Sequence, residues 1–498
     1  MKTKQSAITP TRTENYSEWY LAVIKAADMA EHSSVRGCMV MKPWGFGIWE
    51  QIQSLLNQEI KARGHQNVYF PLLIPLSNLE KEAEHIDGFA KECAVVTHSR
   101  LVKEGERLVP AGKLEEPFII RPTSEMIIGE MFAKWISSYR DLPLLLNQWA
   151  NVMRWEMRPR LFLRTSEFLW QEGHTAHATC QEAHQHVLKM LYVYERFCID
   201  ILAIPVILGE KTEKERFPGA VATYTVEAMM QDGKALQCGT SHDLGQNFSK
   251  AAEICFTNNQ GKREYAWTTS WGVTTRLIGA LIMVHSDDNG LMLPPRIAPS
   301  HLVIIPFIPS NKQAVEIQSY CYALQQELQK NLYHGDKIKV VVDHRDMTSG
   351  EKKWQWIKKG IPICVEIGPK EVSQNRVTLF RRFPDIQLKE SISKETLVQV
   401  LPKMLDDIQS GLYEKALQFQ QSNIVHCEDQ KELYAFFHKG KKGFVTAYFC
   451  GKESIEKQLQ QDLGITVRCL PLSLQERLGK CIFTDRFESR IAIFAKAY

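Results

Sequence analysis

The sequence predicts an α+β chain in three parts. An antiparallel-sheet domain spans residues 1–295, an α/β domain 296–401 and a small α/β domain 402–498. Three observations predict it. Two strand-like runs, 152–156 and 162–171, alternate in polarity and are joined by a short Arg- and Pro-bearing loop. A second hairpin follows in TYTVEAMMQDGKALQCGTSHDLGQNF, with Asp232-Gly233 as a two-residue turn between alternating runs. Beyond the proline-marked linker at Pro294, Pro295 and Pro299 the pattern changes. Strands (HLVIIPF, IKVVVDH, IPICVEIG) alternate with helices (314–330, 351–359), the signature of a largely parallel sheet.

The bulk numbers exclude several classes. At 498 residues, 44% hydrophobic and 24% charged, the chain has the composition of a soluble globular protein with about three domains. A net charge of +4 neither demands nor excludes a nucleic-acid partner. The N-terminal run MKTKQSAITPTRTENYSEWY lacks the apolar stretch of a secretory signal. No run reaches the roughly 18 apolar residues of a membrane helix, so no membrane partner is expected. Twelve scattered cysteines without a C-x-x-C pair fit a reducing compartment, and the cytoplasm is expected.

Residues 151–177, NVMRWEMRPRLFLRTSEFLWQEGHTAH, concentrate the chemistry. Alternation across a strand puts Arg154 and Glu156 on one face, and Trp170, Glu172 and His174 on one side of the second run. Arginine suits bidentate phosphate contacts. A carboxylate two residues on can accept from an exocyclic amino group such as that of adenine. An isolated RxE is ordinarily a surface ion pair, but the whole run resembles motif 2 of the class II aminoacyl-tRNA synthetases. In the form FLRTSEFLWQEGHTAHAT it resembles the prolyl-tRNA synthetase family.

Other stretches carry the same resemblance. A helix over 48–63 closed by Gly64, followed by the strand NVYFPLLIP, resembles motif 1, which implies a homodimer. In EPFIIRPTSEM, Thr123 or Ser124 suits a helix N-cap, and the matching family run supplies Thr123 and Glu125 to the substrate's amino group. On the Asp232-Gly233 hairpin, Glu227 could face a metal-bound phosphate. The family uses Gln237, Thr240 and His242, whose mixed parity predicts a bulge at Gly239. TTSWGVTTRLIGALIMV resembles motif 3, with Arg276 at a helix start, where free amides favour an anion. The resemblance thus implies Arg154 and Arg276 as catalytic. It implies Thr123, Glu125, Arg154, Trp170, Glu172, His174 and His242 around proline. Around ATP it implies Arg154, Glu156, Arg164, Thr165, Gln237, Thr240, Thr274 and Arg276.

The basic region 345–382 and the run IPICVEIGPKE resemble the family's anticodon-binding domain, with Glu366 and Lys370 as candidate tRNA contacts. Trp354 and Trp356 are candidates for stacking on bases, with core packing expected for at least one. The implied reaction activates L-proline with ATP·Mg²⁺ and transfers it to tRNA(Pro). Only about sixty residues separate His177 from Gln237, too few for the hydrolytic domain that bacterial-type members insert there. A threonyl-specific relative would use a zinc-binding cysteine where RPTSE has none. A non-catalytic tRNA-binding relative typically loses the motif 2 or motif 3 arginine, and both are kept here.

The ending RIAIFAKAY resembles archaeal- and eukaryotic-type members, whose last domain holds zinc through four cysteines. Cys450 and Cys481 remain at matching positions with Cys469 near by, but Ile455 and Thr484 stand where their partner cysteines are expected. Tetrahedral zinc needs four soft ligands at close quarters. Metal analysis of the purified protein is therefore expected to find no stoichiometric zinc. One zinc per chain, lost on Cys450→Ser, would show that other ligands rebuild the site.

Overall fold

The computed structural model describes residues 7–80, 92–309, 311–383, 389–474, 476–487 and 489–498. Its centre is an antiparallel sheet in the order Val206–Glu210, Ala222–Met229, Ala235–Gly245, Trp267–Thr274, Glu167–His177, Leu144–Met153, with Gln66–Asn67 added in parallel at the edge. The helix Cys180–Arg196 covers one face, its start fixed by a capping box between Thr179 and Glu182. It buries Val187, Met190, Leu191 and Tyr194 in the core shared with Trp19, Ile52, Trp271 and Leu281. Tyr194 Oη donates to Gln171 Oε1 at 2.6 Å. Alternation therefore aims Trp170 and Glu172, on either side of Gln171, at the opposite face. Gly173 stands in register with Trp271, and a Cβ there would run into the indole.

The motif 2 strands begin and end elsewhere than the polarity pattern suggests. The first stops at Met153 and the second starts at Glu167, so residues 154–166 form a loop and Arg154 and Glu156 are not strand neighbours. The apolar run Leu161-Phe162-Leu163 that reads as strand is buried loop: Tyr20 Oη donates to Leu161 O at 2.8 Å, and Phe162 takes φ 62°. The motif 1 helix is Pro43–Lys61, starting five residues before the expected 48 because Pro43 is preorganised for the first helical position. NVYFPLLIP divides into Gln66–Asn67 and Leu73–Pro75, which pair in different sheets; Pro71 lies between them and lacks the N–H a continuous strand needs.

The second domain has the strand order Val340–Val342, Leu302–Pro306, Ile363–Ile367, Arg376–Arg381, Lys389–Ser393. The first three are parallel, as expected, and the last two run antiparallel. Trp356 is core, donating to Asp343 Oδ2 at 2.8 Å, whereas Trp354 is exposed. This domain is clamped to the first by Arg382, whose two Nη atoms reach Asp287 at 2.6 and 3.0 Å.

The boundary expected at 401/402 falls inside one helix, Lys394–Ser422, which accommodates Pro402. Its Gln409 donates to Asp200 O and Ile201 O, fastening it to the first domain. The last segment is no loose appendage either. Leu470 and Pro471 pair with Glu210 and Gly209, so the C-terminal strands extend the central sheet. Gly209 permits this approach, since a Cβ there would collide with Cys469. Cys450 and Ile455 pack against the apolar cluster containing Cys481, Phe449 and Phe494.

Behind the central sheet lie three imidazoles. His65 Nε2 and His186 Nε2 are 3.0 Å apart, and the His177 and His186 rings are 4.9 Å apart. Burial lowers all three, His177 to about 4 and His186 to about 2. Burial likewise lowers His242, His285 and His301, while only His174 is raised among the described residues. A histidine with a depressed folded pKa keeps the fold unaffected above its unfolded value near 6.5. Below that the unfolded chain takes up protons that the folded chain refuses. Stability should therefore fall from pH 7 to pH 5, by about 1.4 kcal/mol per such group for each pH unit below 6.5. Melting temperatures across that window check this, and His186→Phe should flatten the fall; a flat wild-type profile would contradict it.

Candidate active site

The exposed face of the central sheet opens into a cleft of about 540 Å³. The turn RPTSE, the motif 2 loop, the Asp232-Gly233 hairpin and the start of the Arg276–His285 helix all reach it. Thirteen of the expected proline and ATP residues line it; His174 alone of that set does not, and reaches it only through Glu172. Glu366 and Lys370 lie on the second domain, on the strand Ile363–Ile367 and the short helix Pro369–Ser373. There Glu366 pairs with Lys353 at 3.1 Å.

At one end of the cleft Thr123 Oγ1 donates to Glu125 Oε2. Arg154 Nε donates to Pro122 O at 2.8 Å, and its guanidinium lies 5.6 Å from the Trp170 ring and 5.8 Å from Phe168. A carboxylate, an indole and a guanidinium are thus held together around a small volume. His242 closes this end against Phe217, with Nδ1 3.0 Å from Thr223 Oγ1. Burial holds its pKa down at about 4, so it is neutral at pH 7.

This end is braced from behind by Glu172. Its Oε1 accepts from Ser124 Oγ at 2.6 Å and Gln148 Nε2 at 2.8 Å, and its Oε2 lies 2.9 Å from His174 Nε2. Ser124 does occupy the N-cap position of the helix Glu125–Trp135, but its side chain makes no capping bond; the hydroxyl is turned to Glu172 instead. Burial favours the neutral acid, but the bonds from His174, Ser124 and Gln148 outweigh it and lower the Glu172 pKa. In His174 burial is likewise outweighed by Glu172, and its pKa is raised. Each shift favours the charged form of its group, so the two side chains reinforce each other.

At the other end Arg276 N donates to Thr274 Oγ1 at 3.1 Å, and Arg276 Nε donates to Leu163 O at 3.3 Å. Glu156 Oε1 accepts from Arg158 N at 2.8 Å, which folds the motif 2 loop back on itself. The expected bulge is present one residue away. Val226 and Glu227 face Gly239 and Gln237, leaving Cys238 as the extra residue, and Gln237, Thr240 and His242 all reach the cleft.

Glu227 departs from expectation. It is fully buried and does not line the cleft. It accepts from Lys211 Nζ at 2.8 Å, Thr225 Oγ1 at 2.9 Å, and Arg468 Nε and Nη2 at 3.1 and 3.0 Å. Burial would raise its pKa, but Lys211 and Arg468 outweigh that and lower it. A carboxylate already neutralised by two cations has no place for a metal-bound phosphate. Sequence reasoning also missed Lys211, Arg216 and Phe217, which line the cleft. The one available signal was the run KTEKERFPG, a basic loop set between two strands.

Family models match three stretches of the chain. Residues 111–285 match the tRNA synthetase class II core domain (G, H, P, S and T), 301–404 the anticodon binding domain, and 431–498 the prolyl-tRNA synthetase C-terminal domain. The proline–tRNA ligase of Protochlamydia amoebophila is 54% identical over 502 residues, covering 99% of each chain. That of Bdellovibrio bacteriovorus is 53% identical over 497 residues, again covering 99% of each. A solved prolyl-tRNA synthetase from Cryptosporidium parvum, complexed with L-proline and AMP, matches with TM-score 0.89 at 37% identity, over 99% of this chain and 97% of that one. Another, with halofuginone and AMPPNP, matches with TM-score 0.90 at 38% identity, over 99% of both chains. Sheet order, cleft and full-length identity agree: the chain belongs to the prolyl-tRNA synthetases of class II.

Proposed function

We infer that this chain is a proline–tRNA ligase that makes prolyl-adenylate from L-proline and ATP and passes the prolyl group to the 3′ end of tRNA(Pro). The observation that carries the reading is the convergence of Glu125, Trp170 and Arg154 at one end of a single cleft with Glu156, Arg164 and Arg276 at the other. A secondary ammonium leaving water needs a partner charge, and Glu125 with Thr123 supplies it. Trp170 and the neutral His242 bound the ring. At the proline end Arg154 meets the proline carboxylate as it attacks the α-phosphate and pyrophosphate leaves. Arg276 holds the departing phosphates, and Glu156, Gln237 and Thr240 surround the nucleotide. Magnesium enters with ATP as part of the substrate. The protein's work is positioning and charge stabilisation by groups already fixed in the cleft. Glu172 and His174 act by bracing the proline end.

The second domain is the reading's anticodon contact, with Lys370 and the exposed Trp354 as surface candidates and Glu366 held by Lys353. A homodimer and a cytoplasmic location belong to the same reading. In its support, among the described residues no helix is long and apolar enough to cross a membrane.

Two predictions follow from the cleft. ATP–pyrophosphate exchange should depend on proline among the twenty amino acids, and Arg154→Ala should reduce it by roughly a hundredfold or more. One preorganised charge contact at a transition state is worth about 3–4 kcal/mol. Wild-type-like exchange in that variant would remove Arg154 from the reaction.

The interval 178–236 is filled by the helix Cys180–Arg196, its terminal turn Phe197–Ile201 and the strands Val206–Glu210 and Ala222–Met229, leaving no hydrolytic insert there. Alanine fits any pocket that admits proline, and each missing ring methylene is worth only about 1–3 kcal/mol of discrimination. Detectable alanine activation is expected, with no clearance of alanyl-tRNA(Pro) by the purified chain. Deacylation well above the uncatalysed rate would refute this.

A further inference from the structure

The strand Thr466–Pro471 of the C-terminal domain brings Arg468 through the seam with the central sheet into the cluster around Glu227. Arg468 and Glu227 are 241 residues apart in the chain and both buried. Lys211 completes the cluster. Its Nζ donates to Glu227 Oε1 at 2.8 Å and to the backbone oxygen of Arg468 at 2.7 Å. Unlike Glu227, Lys211 lines the cleft. An ammonium has three donors, and two are used. The cluster's three charged groups sum to one positive charge (two cations, one carboxylate). That charge is close enough to Arg276 for Arg468 and Glu227 to be among the groups acting on it, together with Arg164. The cluster therefore belongs with Arg276, at the phosphate end of the cleft.

We propose that Arg468 is a positioning residue for nucleotide activation: by locking Glu227 it aims Lys211, which contacts the ATP polyphosphate with its remaining N–H. The active site is then completed by the C-terminal domain. The proposal rests on the proline–tRNA ligase reading of the cleft. It gives the fused sheet a consequence, since a docked but separately hung domain could not hold a side chain in register inside the catalytic wall. It also accounts for the burial of Glu227. Two cations this close repel unless a carboxylate lies between them, and Glu227, bonded to both, is that carboxylate.

The test measures ATP–pyrophosphate exchange in the full-length protein with Arg468→Met, Lys211→Met, the double variant, and Arg490→Ala. Arg490 is the control, because its Nη1 bonds Glu210 Oε2 at 3.0 Å across the same seam without touching Lys211. Arg468→Met and Lys211→Met should each lower kcat/KM for ATP roughly ten- to a hundredfold, the usual cost of losing a supporting partner, with KM for proline unchanged. The double variant should be no worse than Lys211→Met alone, and Arg490→Ala should resemble wild type. Equal losses in Arg468→Met and Arg490→Ala, additive losses in the double variant, or a matching rise in KM for proline would each overturn the proposal. A wild-type protein with no proline-dependent exchange would instead sink the ligase reading itself. Should Arg468→Met fail to fold, Lys211→Met, which leaves the seam's Arg468–Glu227 pair in place, decides alone through its KM for ATP.

Discussion

The proline end of the cleft depends on one buried carboxylate. Glu172 ties the RPTSE turn, through Ser124, to two central strands, through Gln148 and its own backbone, and sets the charge of His174. Gln148 in turn accepts from Phe70 N, so the chain after the motif 1 helix joins the same network. Such a hub holds only when complete. Removing Glu172 would leave a buried histidine, a hydroxyl and an amide without their acceptor, which costs more than the bonds themselves contribute. Thr123 and Glu125 flank Ser124, so the rigidity of the hub is passed directly to groups facing the cleft. A site that must tell one small amino acid from another needs this fixity, because a pocket that yields loses its discrimination.

The phosphate end is built on the opposite principle. Arg164, Arg276 and Lys211 crowd a wall that the protein has only partly neutralised. Glu227 is spent between Lys211 and Arg468, and Glu156 is engaged by the backbone of its own loop. Part of the surplus positive charge sits on buried side chains such as Lys211, where it acts more strongly on an entering polyanion than it would in water. The cleft thus joins a saturated network to an unsaturated one. In the function proposed above, that asymmetry lets one cleft both select a small cation and stabilise charge moving onto pyrophosphate.

The interfaces between domains are part of the same design. Arg382 clamps the second domain through Asp287, Gln409 fastens the long helix to the first domain, and the C-terminal strands extend the central sheet. Each contact uses a buried or bidentate polar group, and these orient one body on another more narrowly than apolar contact does.

The sequence by itself marked groups that gather in the cleft. Arg154, Arg276, Glu125 and His242 sit in runs that resemble the family's motifs, and all four line the cleft. It also determined the helix faces and the alternation of strand and helix after Pro299, because burial of a face is a local, periodic property. The bulge beside Gly239 was readable by another route: the resemblance implied Gln237, Thr240 and His242 together, and their mixed parity required an irregularity there. Tertiary structure decided the rest. The buried loop at Leu161–Leu163 imitates a strand because packing against Tyr20, not pairing, requires its apolar residues. Pro402 reads as a boundary but sits within a helix held by tertiary contacts. The fate of Glu227 depends on Arg468, supplied from 241 residues away by a strand that joins the central sheet. Periodicity records that a residue is buried; only the register of distant strands decides what it meets there.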